Sequence, residues 1–215
     1  MNLKHWPLYA LRITTPRLVL RLPELAELDA LAELSCAGVH DPARMPFNTP
    51  WTDAPPAQRA RGVMRFHWRQ LADWSPDGWN LPLAVFRDGE VVGSQFIGAK
   101  DFPILREVET GSWLGLGHQG DGIGTEMRAA VLHLAFAGLG AETAVTAALT
   151  DNPASLGVTR KLGYQENGLA RTRVRDDLGY ERRFVLDRDG WQRHRRHAIK
   201  VEGLAECLPM FGAAP

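Results

Sequence analysis

Several features are scarce in this chain, and each scarcity excludes something. Two cysteines among 215 residues, Cys36 and Cys207, cannot build a disulfide framework or complete a zinc cage. An excess of one charge is missing as well. The 25 Lys and Arg balance 25 Asp and Glu, so no global field holds a polyanion, and extended nucleic-acid or anionic-membrane partners are excluded. Any anion site has to be local. The longest nearly apolar run, Ala129 to Gly140, contains His133 and falls short of the roughly 20 residues a membrane helix needs. The start of the chain, MNLKHWPLYALRITTPR, has no continuous apolar region of the kind signal peptides carry. These absences read together as a cytoplasmic, reduced protein without a membrane span. The seven histidines form no HxH or HExxH pair on one helix face, so no metal is expected.

What remains fits one compact unit with a substantial core: 215 residues, 45% of them hydrophobic. Leu11 to Leu22 mixes apolar and β-branched residues with Arg12, Arg17 and Arg21, and reads as an edge strand interrupted near Pro16. Pro23 stands where a first helical residue would, and Leu25, Leu28, Leu31, Ala32 and Cys36 mark one face of a helix before Gly38. Five prolines between Val39 and Pro56, with Met45, Phe47 and Trp51, describe a rigid loop with apolar anchors. After the Thr52-Asp53 cap signal, Ala60, Val63, Met64, Trp68 and Leu71 recur at helical spacing. Leu81 to Phe86 and Glu90 to Ala99 flank Arg87-Asp88-Gly89 as a hairpin, and Glu107 to Leu116 extends the meander. Gly120 to Leu139 reads as a helix stopped by Gly140. Glu142 to Leu149 reads as a strand, followed by a helix capped at Asp151-Asn152-Pro153 and running to about Lys161. Tyr164 to Val174 and Gly179 to Leu186 form a last strand pair, and Arg188 to Lys200 an added helix. No internal repeat is visible. The order β-α-α-β-β-β-α-β-α-β-β gives an α/β fold of the α+β kind, a mixed sheet with helices on both faces.

The most informative stretch is WLGLGHQGDGIGT, Trp113 to Thr125, where a strand passes through glycines straight into a helix. Glycines let the backbone turn tightly and approach a ligand, while the unpaired first amides and positive dipole end of the helix attract phosphate. A pyrophosphate fits such a turn; a plain tight connection is the alternative. The preceding element is a meander strand rather than the first strand of a βαβ unit, and GxxxxGK[ST] is absent, so neither a dinucleotide fingerprint nor a P-loop is present. Gln119-x-x-Gly122-x-Gly124 matches the [Q/R]-x-x-G-x-[G/A] acyl-CoA motif, and with the element order from about Leu11 to Asp187 it resembles the GCN5-related N-acyltransferases, the GNAT superfamily. TPRLVLR (Thr15 to Arg21), Glu109-x-Gly111-x-Trp113-Leu114, and Asn152-Pro-Ala-Ser155 followed by Lys161-Leu162-Gly163-Tyr164 are similar to its RimJ/RimL-like branch. His40 to Phe47 with Pro50-Trp51, and Gly111 to Leu116 with Gly124 to Leu132, look like GNAT-class N-succinyltransferases that use succinyl-CoA.

This resemblance implies a GNAT fold with a splayed, mostly antiparallel sheet. It implies one acyltransferase domain over residues 1–187, with a helical extension over 188–215 packed on it or on a partner subunit of a homo-oligomer. Acetyl-CoA or succinyl-CoA would be co-substrate, an amine of a protein or small molecule the acceptor, and the acyl group would pass directly between them without a metal. Amides near Leu114 and Leu116 would receive the pantetheine arm, Gln119, Gly120, Gly122, Gly124 and Thr125 would hold the pyrophosphate, and Asn152 and Lys161 would also bind the acyl-CoA. An acyl-CoA-binding sensor without catalysis is the reading outside enzymology.

Direct acyl transfer requires a neutral amine, a stabilised oxyanion and a proton for the departing thiolate. Glu109 shares a strand face with Gly111 and Trp113 and matches the position at which family members carry a general base. The alternative is a solvated or arginine-paired carboxylate, because a carboxylate deprotonates an amine efficiently only with a raised pKa or through water. Glu107 and Glu126 are weaker choices for the base. Ser155 is expected to protonate the sulfur, the more so because Thr159 stands where the superfamily often has tyrosine; alternatively Asn152 and Ser155 serve only to cap their helix. Arg44 or His40 would meet the second carboxylate of succinyl-CoA. His118 beside the turn is the one histidine to watch; Trp74, Trp79 and Trp113 read as core or rim, with lining of the acceptor cleft the alternative for Trp79, and the basic run Arg193 to His197 reads as a solvated or oligomer-facing surface.

Overall fold

Asp88 and Gly89 both adopt positive φ, 52° and 86°, the backbone a tight two-residue hairpin turn requires. They fold β3 (Gly78–Arg87) back on β4 (Glu90–Lys100) in a computed structural model that describes residues 3–213. A four-residue helix, α3 (Phe102–Leu105), turns the chain into β5 (Glu107–Leu114), which pairs antiparallel with β4. The expected meander is therefore present. On the other side of β3 lie β2 (Val19–Arg21) and β1 (Arg12–Thr14), two short antiparallel strands rather than one interrupted strand. The physical reason sits between them: the Thr15 amide donates to the Leu18 carbonyl at 2.9 Å and the Leu18 amide to Thr15 Oγ1 at 3.0 Å, closing a turn around Pro16.

Beyond β5 the chain continues through α4 (Ile123–His133), β6 (Thr143–Leu149), α5 (Pro153–Lys161), β7 (Gln165–Val174) and β8 (Asp177–Asp187). Among the described residues nine strands, the last being β9 (Lys200–Glu202), form one sheet ordered β7-β8-β6-β5-β4-β3-β2-β1-β9, in which only β5 and β6 run parallel. Helices α1 (Leu25–Ala37) and α2 (Pro56–Ala72) cover one face through Leu28, Leu31, Ala32 and Val63 against Ala84 and Phe86. On the opposite face Ile123, Met127, Ala130 and Val131 of α4 join the larger core with Leu81, Leu83 and Val85. Helices therefore flank both faces.

Several boundaries differ from expectation for local reasons. Helix α1 begins after Glu24, not at Pro23, because Glu24 and Glu27 form a reciprocal capping box. Trp68 turns outward and is 47% exposed, while His67 is buried in its place. The Gly120–Leu139 helix starts only at Ile123 and widens into a π-helical turn over Leu134–Leu139. After β8, α6 (Arg188–His194) stops six residues short of Lys200, and β9 (Lys200–Glu202) pairs with β1 at the far edge of the sheet. Cys207, Phe211 and Ala213 then bury against the same core.

One core position is unusual. Arg128 of α4 is only 5% exposed, donates from Nη1 to Thr159 Oγ1 at 3.1 Å, and has no acceptor for Nε and no carboxylate within ion-pair distance among the described residues. A buried cation without a counter-charge costs more than its single hydrogen bond returns. Arg128→Met should therefore leave the free energy of urea unfolding unchanged or raise it by about 1–2 kcal/mol. A loss of similar size would show that the guanidinium is a net stabiliser.

Candidate active site

In β5 the backbone groups of successive residues alternate between the two neighbouring strands. The Gly115 amide donates to Val92 O at 3.1 Å, on the β4 side, so the groups of Ser112 and Leu114 face β6. The Thr110 carbonyl already does so, accepting from Thr146 Oγ1 at 3.0 Å. Yet β5 and β6 are registered only from Glu107 to Glu109 against Thr143 to Val145. Past that point the strands diverge, and the Ser112 and Leu114 amides open into the gap without a ladder partner. The Leu114 amide therefore faces this gap.

The glycine turn closes the lower end of the gap. Gly120 and Gly122 hold φ of 90° and 80°, and α4 begins immediately after Gly122. Among the described residues no acceptor receives the amides from Gly120 through Gly124. Other expected ligands are already committed. The Leu116 amide donates to Gly38 O at 3.1 Å and the Thr125 amide to Gly122 O at 3.1 Å, so neither is free for a ligand in this conformation. Gln119 does not face the turn either: its Nε2 donates to Val39 O at 2.7 Å and Leu114 O at 3.0 Å, tying the proline-rich loop to the end of β5. On the α5 side, a methyl group on Gly124 would meet Val158 Cγ2 at 3.6 Å, and Lys161 lies one helical turn further along, exposed.

The hairpin between β1 and β2 also reaches this turn, which no local pattern in TPRLVLR signals. Arg17 donates from Nε to Glu126 Oε2 at 2.7 Å and from Nη1 to Asp121 O at 3.0 Å, while Thr15 Oγ1 donates to Glu126 Oε1 at 2.6 Å. Burial pushes the Glu126 carboxyl upward, but these hydrogen bonds outweigh it and hold it below the usual range. An ionised, fully engaged carboxylate is not a general base, so Glu126 is removed from that role.

Glu109, Gly111 and Trp113 lie on the face of β5 covered by α1 and α2. Gly111 is required there because any side chain would overlap the Phe96 ring. Trp113 packs on Trp51 with centroids 5.6 Å apart, Trp51 on Phe47 at 5.4 Å, and Phe47 on His40 at 5.7 Å, so the proline-rich loop forms an aromatic wall beside Glu109. Desolvation first, then the carboxylates of Glu181 and Glu107, push the Glu109 carboxyl above the ordinary range. The residue nevertheless remains solvent-accessible, so protons can leave through water. Glu107 is occupied by Thr143 Oγ1 at 3.0 Å, and Glu181 by Asn48 Nδ2 at 2.7 Å.

Across the gap, Asn152 Oδ1 accepts the Ser155 amide at 3.1 Å and caps α5, and its Nδ2 lies 3.5 Å from Pro46 O. Ser155 Oγ has no partner among the described residues, while the Ser155 carbonyl accepts from Thr159 Oγ1 at 2.9 Å. Both nitrogens of His40 are engaged, with Asp41 O at 2.8 Å and Thr52 Oγ1 at 2.6 Å, and Arg44 is exposed. Trp79 is buried between Trp74, Phe102 and Phe211 and donates from Nε1 to Phe211 O at 3.0 Å; it is core, not cleft. No cluster of three or more metal-ligating side chains exists among the described residues.

Gly124 separates ligand from fold. Its φ is not in the left-handed region and an added methyl makes only ordinary contacts, so Gly124→Ala should stabilise α4 by about 0.5–1 kcal/mol. A methyl beside the free amides should at the same time weaken CoA binding about tenfold, read by calorimetry. Unchanged CoA affinity would remove the turn from the binding site.

Comparisons with known proteins bear on the fold and the family. In solved structures the chain is similar to Mycobacterium smegmatis RimJ in complex with a CoA disulfide, at 17% identity over 97% of this chain and 96% of that one, with a TM-score of 0.66. It is also similar to RimL, a ribosomal L7/L12 α-N-protein acetyltransferase in complex with coenzyme A, at 19% identity over 81% of this chain and 96% of that one, TM-score 0.63. A GNAT-family acetyltransferase from Bacillus anthracis matches at 15% identity over 83% and 99%, TM-score 0.61. These likenesses show the fold. A family model described as the acetyltransferase (GNAT) domain matches residues 17–165, and the chain belongs to that family.

Proposed function

We propose that this chain transfers an acetyl group from acetyl-CoA directly to a primary amine, with Glu109 as general base. The observation that carries the reading is the placement of Glu109. Its carboxyl, raised by desolvation and by Glu181 and Glu107, stands on the α1/α2 face of β5, beside the gap where the Leu114 amide lacks a ladder partner. An acyl-CoA with its diphosphate on the Gly120–Gly124 amides extends its pantetheine arm into that gap, and the Leu114 amide polarises the thioester carbonyl. The amine enters along the Trp113–Trp51 wall and passes a proton to Glu109, directly or through water. The amine nitrogen bonds the carbonyl carbon, the C–S bond breaks, and Ser155 Oγ supplies a proton to the thiolate, recovering it through water from the proton taken up by Glu109. The α-amine of a protein is the first acceptor to test, because RimL, to which the chain is similar, is an α-N-protein acetyltransferase.

Succinyl-CoA is the second donor to compare. With both His40 nitrogens engaged, Arg44 is the cation of the proline-rich loop left to meet a succinyl carboxylate. Arg44→Ala should then weaken succinyl-CoA binding and spare acetyl-CoA, and equal effects on both would discard the succinyl reading.

Glu109→Gln should lower kcat/KM by about 10²–10⁴ while leaving CoA affinity near wild type. A base must be ionised to act, so a raised Glu109 pKa places the acid limb of the wild-type pH profile above the pH at which an ordinary carboxylate ionises, with activity rising through it. That limb should vanish in Glu109→Gln. A variant with wild-type rate and profile would assign the base elsewhere.

A further inference from the structure

The anion-binding end of the gap contains a cation that arrives from the opposite end of the sequence. Arg17 and Asp121 are 104 residues apart, yet Arg17 Nη1 donates to the Asp121 carbonyl at 3.0 Å. Arg17 Nη2 lies 2.6 Å from Glu126 Oε2 and 3.5 Å from where a methyl group on Gly122 would stand, so the guanidinium arches over the turn itself. Its position is fixed from below. Glu126, 1% exposed, accepts from Arg17 Nε, from the Arg17 amide at 3.1 Å and from Thr15 Oγ1, which leaves the carboxylate no freedom to swing away.

The outer edge of the guanidinium is still open. Each terminal nitrogen carries two N–H groups, and each has one acceptor on the protein side, so Nη1 and Nη2 both keep a donor. The Arg17 side chain is 42% exposed, against 2% for that of Glu126. A planar pair of donors, pre-ordered and partly open to solvent, matches two oxygens of one phosphate. Amides alone supply partial charges there; Arg17, although paired with Glu126, adds charge-assisted N–H donors within contact distance of Gly122.

We propose that Arg17 is a ligand of the CoA diphosphate, closing over the group that lies on the Gly120–Gly124 amides. The inference rests on the acyl-CoA reading of the site. In the rival account Arg17 is only a strut, holding the turn through Glu126 and Asp121. The two differ in what they do to donors without phosphate.

Arg17→Gln and Arg17→Lys, with melting temperature and circular dichroism checked for each, are titrated calorimetrically with CoA and with dephospho-CoA, which keeps the diphosphate but lacks the 3′-phosphate. Turnover of S-acetylpantetheine, which has no phosphate, is measured in parallel. The proposal expects Arg17→Gln to weaken CoA and dephospho-CoA equally, by tenfold or more, Arg17→Lys to recover part of the loss, and kcat/KM for S-acetylpantetheine to stay within twofold of wild type. A loss shared by S-acetylpantetheine identifies a strut and overturns it. A loss confined to CoA assigns Arg17 to the 3′-phosphate and also overturns it, as does unchanged affinity for both. Should Arg17→Gln fail to fold, Arg17→Lys decides alone, its expected result being a smaller, equal loss for both nucleotides. Wild-type protein that binds neither nucleotide refutes the acyl-CoA reading itself, a result distinct from any change between variants.

Discussion

Three residue pairs hold β5 to β6, and the missing fourth determines the rest of the site. A buried strand amide without a partner is costly, and the usual remedy is to continue the ladder. Here the strands part after Glu109 and Val145, so the remaining β5 groups on that side require another partner. The parallel pair forms in the middle of a nine-stranded sheet, and both neighbours are pinned by long antiparallel ladders, β4 on one side and β8 on the other. Neither strand is free to close the gap. A slot with oriented donors thus follows from sheet topology.

Charge is distributed to suit that slot. A chain with no net charge binds an anion only where its own dipoles and a few side chains converge. The first amides of α4 and the pinned Arg17 converge at one end. Carboxylates occupy the other side of β5, where desolvation first, and then the charges of Glu181 and Glu107, raise the Glu109 carboxyl. Phosphate and amine are therefore favoured in different places, one along the glycine turn and the other beside the Trp51–Trp113 wall. In the proposed reaction the two substrates approach the same strand from separate directions. Glu126 shows how decisively position sets chemistry: four residue positions from Gly122, its carboxylate is engaged from several sides and serves architecture alone.

Most of the sheet was legible because its signals are local. Asp88-Gly89 demands a turn whatever surrounds it, and the glycines at 120 and 122 similarly mark the entry to α4. The interruption near Pro16 was readable, but not that the chain reverses there, because the Thr15–Leu18 hydrogen bonds that close the turn leave no mark in the residue pattern. For the site, residue types at the turn were readable but their commitments were not. Leu116 and Thr125 offer their amides to carbonyls nearby, and Gln119 reaches back to Val39, because loop closure selects these partners. Long-range pairing was the least readable of all. Arg17 and Glu126 meet only because β1–β2 packs beside the start of α4, and the C-terminal strand returns to β1 with no signal beyond a short β-prone run.

On the proposed reading the splayed gap and the glycine turn form one acyl-CoA site. The most direct test is amide chemical-shift mapping of the ¹⁵N-labelled protein during titration with CoA. The largest shifts are expected at Ser112, Leu114 and Gly120 through Gly124, with the committed amides of Leu116 and Thr125 changing less. Saturable binding whose shifts fall instead on β7 and β8, leaving the gap and turn unmoved, would contradict it.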